Sequence, residues 1–163
     1  MRVAAILVAA GSGLRFGADR PKQYSRIAGK PVARWAAERL APHVALLQPV
    51  GDPALLGPAL EGLKHLPVVT GGAQRQDSVR AGLEALGAHV PELVLVHDAA
   101  RPFLPEGTVP ALLATLATYE GAIPAVPVAD TLKRAVDGSI AQTVSREGLY
   151  RAQTPQAFRF STL

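Results

Sequence analysis

The chain has 163 residues and 48% apolar content, enough for one domain with a sizeable core. Its formal charge is +4, but the basic residues are dispersed and aromatics make up only 5%, which excludes a typical nucleic-acid surface and favours a small anionic substrate. No stretch approaches the roughly 20 apolar residues of a membrane span, and the absence of cysteine excludes disulfides and fits a cytoplasmic protein.

Strand and helix patterns alternate along the first 128 residues. Continuous apolar runs predict strands, and apolar residues at three-to-four spacing predict helices. The predicted strands are Val3 to Ala10, His43 to Val50, Leu66 to Val69, Leu93 to His97 and Ala122 to Val128. The predicted helices begin at Pro31, at Pro53, at Gln74 or Arg75, and near Val109. This alternation predicts an α/β fold: a Rossmann-like, doubly wound, mostly parallel sheet between two helical layers.

A different pattern follows Asp130. Thr131 to Val136 and Ile140 to Val144 are short β-prone runs, separated by the turn Asp137-Gly138-Ser139. An Asp-Gly pair between such runs predicts a β-hairpin. We expect residues 1–163 to form one domain, from which an arm of about residues 130–152 projects toward a partner subunit or a substrate.

Unusual polar residues follow the predicted strands, at the edge where doubly wound sheets bind ligands. The first strand ends in a loop containing Gly11, Ser12 and Gly13, and the third ends in Gly71-Gly72. Glycine loops let backbone N–H groups approach phosphate oxygens, and Arg15 and Lys22 add positive charge nearby. The glycine spacing matches neither a dinucleotide-binding nor a Walker loop. The long cationic loop indicates a polyphosphate ligand, although a tight turn with solvated charges would look similar.

The fourth strand ends in His97-Asp98. Asp98 can hold Mg²⁺, which takes one or two carboxylates together with nucleotide oxygens, but it could also simply cap the loop. Arg101 adds a second charged group near the same edge. We expect His97 to be a structural residue with its hydrogen bonds satisfied.

With these residues assembled, the sequence resembles the 2-C-methyl-D-erythritol 4-phosphate cytidylyltransferases, CTP-using enzymes of the non-mevalonate isoprenoid pathway. Six segments carry the resemblance, in order along the chain. They are AAGSGLRFGADRPKQY (9–24), GGAQRQDSV (71–79), VHDAARPF (96–103), VADTLKR (128–134), TVSREGL (143–149) and QTPQAF (153–158).

The resemblance implies a role for each matching residue. Arg15 and Lys22 would stabilise the α-phosphorus of CTP as the substrate phosphate attacks, and Asp98 would hold Mg²⁺. The residues that would bind the nucleotide are Ala9, Ala10, Gly11, Ser12, Gly13, Gly72, Ala73, Arg75 and Ser78; all of these except Ser12 and Gly13 align with the part that receives cytosine and ribose. The residues on the methylerythritol phosphate side would be Arg101, Thr131, Lys133 and Arg146, with Thr131 and Arg146 reaching across a homodimer from the hairpin arm.

Two features depart from the family pattern. Ala73 stands where an aspartate is common, although much of the recognition there uses the main chain. The family domain normally continues beyond the position of Leu163 with a second metal-binding aspartate and a lysine near the substrate. We therefore expect a fragment or the first part of a longer chain, since this domain is sometimes fused to the cyclodiphosphate synthase of the same pathway.

Two alternatives stay open. Ribitol 5-phosphate cytidylyltransferases are similar in the glycine loop, the His-Asp strand end and the Gln-Thr-Pro-Gln segment, although Asp130 to Lys133 and Gln76 to Val79 favour methylerythritol phosphate. An alternative of another class is a non-catalytic module that binds a nucleotide or dimerises.

Overall fold

The computed structural model describes residues 1–11 and 21–163. The strands are β1 (Val3–Val8), β2 (Arg26–Ile27), β3 (Lys30–Pro31), β4 (Leu46–Val50), β5 (Leu93–Asp98), β6 (Gly121–Ala122), β7 (Ala125–Pro127), β8 (Leu132–Val136), β9 (Ser139–Val144), β10 (Tyr150–Ala152) and β11 (Gln156–Arg159). The helices are α1 (Val32–Leu40), α2 (Pro53–Ala59), α3 (Arg75–Leu86) and α4 (Thr108–Thr115). Within these described residues, no helix has the length and apolarity needed to cross a membrane.

Within residues 1–11 and 21–163, the central sheet has five strands in the order β4-β1-β5-β11-β6. Strand β1 pairs in parallel with both β4 and β5, whereas β11 runs antiparallel between β5 and β6. Four of the five strands therefore point the same way. The predicted doubly wound, mostly parallel α/β fold is confirmed.

Alternate residues of β1 enter two separate cores, because successive side chains of a strand point to opposite faces. Ala5 and Leu7 pack with α1, α2 and α4, while Ala4 and Ile6 pack beneath α3. The sheet is thus covered on both faces, which explains why its central strands are apolar without alternation.

Glycine at position 82 brings α3 close to the sheet. A Cβ atom there would lie 2.7 Å from Ile6 Cγ2 and 3.0 Å from Val50 Cγ2. The helix is begun by a capping box in which Gln74 and Asp77 satisfy each other's backbone N–H groups. Close packing and the cap together fix the first turn of α3, which carries Arg75.

The predicted strand Leu66 to Val69 is only partly formed. Its two ends hydrogen-bond to β4, from the Leu66 N–H to the Leu47 carbonyl at 2.8 Å and from the Val69 N–H to the Pro49 carbonyl at 3.1 Å, but only Val69 forms a parallel bridge, to Val50. The neighbouring Pro67 has no N–H to donate to a ladder, and its carbonyl instead accepts a hydrogen bond from the Gln48 side chain at 2.9 Å.

The predicted strand Ala122 to Val128 is divided in two. Pro124 interrupts it, so that β6 joins the central sheet while β7 pairs antiparallel with β10 in a separate ribbon. Strand β11, which lies between β5 and β6, has no counterpart among the sequence-based predictions. Its short run, Gln156–Arg159, carries no strong strand signal of its own.

The predicted hairpin is present as β8 and β9, which pair antiparallel. Its turn residues Asp137 and Gly138 have φ values of 49° and 78°. Positive φ at both central residues is typical of the two-residue turns that match strand twist. Nearly every residue of β7 to β10 is exposed, so this arm has little of the domain's core beneath it.

Candidate functional site

The candidate site lies beyond the carboxyl ends of β1 and β5. Val8 and Asp98 are register partners at the last positions of these strands. After β1 the chain passes to β4 on one side and later returns to β5 on the other, so the strand order reverses at this point. Such a switch point leaves a crevice at the strand ends, where doubly wound sheets bind ligands.

The carboxylate of Asp98 lies between two guanidinium groups. Arg75 Nε lies 2.9 Å from Oδ1, and Arg101 Nε lies 3.3 Å from Oδ2. All three side chains are partly exposed, so the ion pairs themselves contribute little to stability, about 0–1 kcal/mol each. Two cations against one anion leave the cluster with a net positive charge. This arrangement suits an anionic ligand.

Two glutamines hold these arginines from the other side. Gln153 Oε1 accepts a hydrogen bond from Arg101 at 2.7 Å, and Gln156 Oε1 accepts a longer one from Arg75 at 3.5 Å. The sequence had indicated this segment only as a matching motif, with no role for either amide. The feature of the sequence that could have indicated these two residues is that Gln153 and Gln156 flank a Thr-Pro pair.

His97 forms hydrogen bonds with two residues at the same edge of the sheet. The carbonyl of Arg101 can only accept, so His97 Nε2, 3.0 Å away, carries the ring proton. Nδ1 is then the acceptor for the Thr154 hydroxyl at 3.0 Å. Burial lowers the pKa of His97, which keeps the ring neutral. Both ring nitrogens have partners, and the expectation of a satisfied structural histidine is confirmed.

The two glycine loops touch each other across the end of β1. A Cβ atom on Gly71 would lie 2.2 Å from the Cβ of Ala10, so only glycine allows this approach. The hydroxyl of buried Ser78 accepts a hydrogen bond from the Gly72 N–H at 3.1 Å and lies 3.3 Å from the Gln74 carbonyl. The segments that carry Ala9 to Gly11 and Gly72 to Ser78 thus form one continuous surface, on which Ala73 is exposed.

Lys22 is exposed at the start of a single 3₁₀ turn, Lys22–Tyr24. The next residue, Gln23, is buried and donates hydrogen bonds to the carbonyls of Ala9 and Gly11 at 2.6 and 2.9 Å. Sequence reasoning missed Gln23, since it lay inside a motif noted for its cations. The predicted site residues Ser12, Gly13 and Arg15 lie outside the described residues.

The hairpin residues form a second group, separate from the cluster around Asp98. Lys133 Nζ lies 2.7 Å from Thr143 Oγ1 on the facing strand. Arg146 donates to the Ala129 carbonyl, and Thr131 is exposed just before β8. Among the described residues, the Lys133 and Arg146 side chains hydrogen-bond only within residues 129–146.

A divalent cation would find one carboxylate here. Among the described residues there is no group of three His, Cys, Asp or Glu side chains that could enclose a metal. Asp98 alone, at a partly exposed strand end, matches the way Mg²⁺ is held by one or two carboxylates together with substrate phosphates. The donor set therefore fits a cation that enters with a nucleotide.

These features define the class: a doubly wound α/β protein with a cationic, glycine-lined site at its switch point. The family model for 2-C-methyl-D-erythritol 4-phosphate cytidylyltransferase (IspD) matches residues 3–163. The chain therefore belongs to this family, and the resemblance seen in the sequence is confirmed.

Individual relatives agree with this assignment. The chain is 63% identical to "Bifunctional enzyme IspD/IspF" of Granulibacter bethesdensis, covering 100% of this chain and 43% of that protein. It is 57% identical to the protein of the same name from Gluconobacter oxydans, covering 100% and 44%. A crystal structure of 4-diphosphocytidyl-2C-methyl-D-erythritol synthase superimposes with a TM-score of 0.82 at 35% identity, covering 99% of this chain and 76% of that one. The chain thus spans less than half the length of these two curated relatives.

Proposed function

We propose that the protein transfers CMP from CTP to 2-C-methyl-D-erythritol 4-phosphate and releases pyrophosphate. The observation that carries this proposal is the cluster of Asp98, Arg75 and Arg101 beside two touching glycine loops. A site with excess positive charge, exposed backbone groups and one carboxylate suits a nucleoside triphosphate. Membership of the cytidylyltransferase family supports cytosine as the base and methylerythritol phosphate as the acceptor.

The glycine loops would receive the nucleotide. Cytosine and ribose would be contacted, largely through the main chain, by Ala9, Ala10, Gly11, Gly72, Ala73, Arg75 and Ser78. Ser12 and Gly13 would also bind the nucleotide. Close approach of Gly71 to Ala10 supports this role, because it exposes backbone rather than side chain at the junction.

Lys22 and Arg15 would stabilise the negative charge that develops on the α-phosphoryl group. Phosphoryl transfer needs little covalent chemistry from the protein, and catalysis depends on positioning and electrostatics. The exposed position of Lys22, one residue from a side chain bonded to the loop, supports this assignment. Asp98 would hold Mg²⁺ or another divalent cation, which would neutralise charge on the phosphates.

Arg101 would bind the phosphate of the acceptor, and Thr131, Lys133 and Arg146 would complete that side from the hairpin arm. Because the arm lies away from the domain core and, in the described part of the chain, the Lys133 and Arg146 side chains hydrogen-bond only within residues 129–146, we propose that Thr131 and Arg146 serve the site of a second copy in a homodimer. Exposed apolar side chains on the arm, such as Val136 and Ile140, support a covering partner.

The relatives and the composition support two further proposals about the whole protein. Both Bifunctional IspD/IspF relatives match this chain over less than half their length. We propose a fusion to the cyclodiphosphate synthase of the same pathway. We also propose that the protein is located in the cytoplasm, because a chain without cysteine forms no disulfides and needs no oxidising compartment.

The test uses the full-length gene product, CTP and Mg²⁺, with pyrophosphate release as the readout. Methylerythritol phosphate and ribitol 5-phosphate are supplied separately at equal concentration. We expect turnover mainly with methylerythritol phosphate. Equal or faster turnover of ribitol phosphate would refute the acceptor, and CTP binding by calorimetry without any pyrophosphate would favour the non-catalytic module.

A further inference from the structure

The side chain of Gln23 joins two parts of the site that are separate in sequence. Its amide nitrogen donates to the carbonyl of Ala9 at 2.6 Å and to that of Gly11 at 2.9 Å. The side chain is only 4% exposed, so neither bond competes directly with solvent. One amide therefore uses both of its N–H groups to hold the main chain immediately after β1.

These two bonds decide which way the peptide groups of the loop face. A trans peptide is planar, with its N–H directed opposite to its carbonyl. When the Ala9 carbonyl is directed toward Gln23, the N–H of Ala10 is directed away from it. The orientation of this backbone at the switch point is thus set by a side chain from the following segment.

The segment that carries Gln23 is itself well anchored. Tyr24 is buried in the main core. The carbonyl of Ser25 accepts a hydrogen bond at 2.9 Å from the N–H of Val32, the first residue of α1. Lys22 and Gln23 share one 3₁₀ turn, so a displacement of Gln23 from the loop moves the backbone of Lys22 as well.

We infer that Gln23 is a positioning residue that holds Lys22 and the loop Ala9 to Gly11 in a single reactive geometry. This inference rests on the proposed function, in which Lys22 stabilises the reacting phosphoryl group and the loop receives CTP. Misplacement by about 1 Å can cost on the order of 10²-fold in rate. Gln23 acts through Lys22 and the loop and needs no contact with the reacting atoms.

The chain offers a matched control. Gln48 is 2% exposed, and its amide nitrogen also donates to two backbone carbonyls, those of Pro49 and Pro67, each at 2.9 Å. It has the same residue type, burial and bonding pattern as Gln23. One of its bonds, however, stays within β4 and the other joins β4 to the Pro67 segment, and neither involves the loop after β1.

The experiment compares Gln23→Leu with Gln48→Leu in the full-length gene product. Both variants lose two buried hydrogen bonds, and we expect similar falls in melting temperature. Only Gln23→Leu should lower kcat, by on the order of 10²-fold, and raise the Kd for CTP. Equal kcat and Kd in the two variants at equal folded fraction would overturn the inference.

A second variant tests the inference if Gln23→Leu does not fold. Gln23→Glu keeps the shape of the side chain, but an ionised carboxylate has no hydrogen to donate to the two carbonyls. Its kcat relative to wild type should rise as pH falls and the carboxyl gains a proton. A ratio independent of pH would contradict the inference.

Different results would refute the proposed function and the inference about Gln23. Wild-type protein that releases no pyrophosphate would refute the proposed function. The Gln23 inference would then be decided by calorimetry with CTP alone. Weaker CTP binding by Gln23→Leu than by Gln48→Leu would support it, and equal binding would refute it.

Discussion

Arg75 donates a hydrogen bond from Nε to Oδ1 of Asp98 at 2.9 Å, which joins the first turn of α3 to the end of β5. Arg101 approaches the other carboxylate oxygen. The carboxylate that we propose for Mg²⁺ is thus already paired with cations in the structure. Binding of the nucleotide at Arg75 and of the acceptor phosphate at Arg101, as we propose, would compete with these ion pairs, which links substrate binding to the availability of Asp98.

Replacement of Asp98 by Asn should abolish most activity while leaving the fold intact. The amide keeps an acceptor for Arg75 but loses the negative charge that holds a divalent cation. We expect turnover to fall on the order of 10²-fold or more and the free energy of unfolding to change by less than about 1 kcal/mol. Pyrophosphate release against Mg²⁺ concentration provides the measurement.

Asp52→Asn is the matched control for this variant. Asp52 caps α2 by accepting a hydrogen bond from the Ala54 N–H at 2.9 Å, and Asn caps helices about equally well. Its activity should equal that of wild type. A similar loss in both variants would contradict a specific role for Asp98.

Replacement of Lys22 by Ala should lower kcat far more than CTP affinity, because its proposed interaction is strongest in the transition state. We expect a loss on the order of 10²-fold or more in kcat. Steady-state kinetics and CTP calorimetry separate the two effects. The control is Lys64→Ala, at another exposed lysine, which should leave kcat and CTP affinity unchanged. A rise in KM without a fall in kcat for Lys22→Ala would refute the proposed role.

Replacement of Gly71 by Ala should separate the two glycine loops. The added methyl group would meet Ala10 Cβ at 2.2 Å, so one loop must shift. We expect overpacking to cost about 1–3 kcal/mol of stability and CTP affinity to fall. At Gly57 in α2, an added Cβ meets nothing within 4 Å, so Gly57→Ala should retain CTP affinity and gain stability. Unchanged CTP affinity in Gly71→Ala would contradict a role of the contact between Gly71 and Ala10 in nucleotide binding.

His97 should make stability depend on pH below neutrality. Burial lowers its folded pKa, so between that value and the unfolded pKa of about 6.5 the unfolded state binds more protons. The contribution of neutral His97 is fully present above pH 6.5 and decreases as pH falls. Melting curves at pH 7.5 and 5.5 should therefore differ less for His97→Gln than for wild type. An identical pH dependence in both proteins would rule this out.

The proposed dimer can be tested at the tip of the arm. Ile140 is 70% exposed, and a charge there would be costly in an apolar interface. Sedimentation of the full-length Ile140→Glu variant should show a smaller species than wild type. Val90, 71% exposed but away from the arm, provides the comparison: Val90→Glu should keep the wild-type assembly. Dissociation of both variants, or of neither, would contradict an interface on the arm.

Local pattern predicted most of the central sheet and the helices. The strands around Ile6 and Leu95 are apolar because both of their faces are buried. The Asp137-Gly138 turn is recognisable because these two residue types accept the positive φ values that the turn requires. Such features depend on neighbours in sequence. The sequence alone also placed Asp98 and the glycines at one edge, because parallel strands end together.

The remainder depended on contacts between distant segments. Strand β11 forms because β5 and β6 offer edges on both sides, and its four residues have little preference of their own. Nothing local predicts that Gln23 bonds to Ala9, that Gln153 bonds to Arg101, or that Thr154 bonds to His97. The sequence by itself determined the class of fold and the polar residues that gather at one edge of the sheet. The tertiary structure decided how those residues are held, since each buried polar group must find a partner wherever the folded chain provides one.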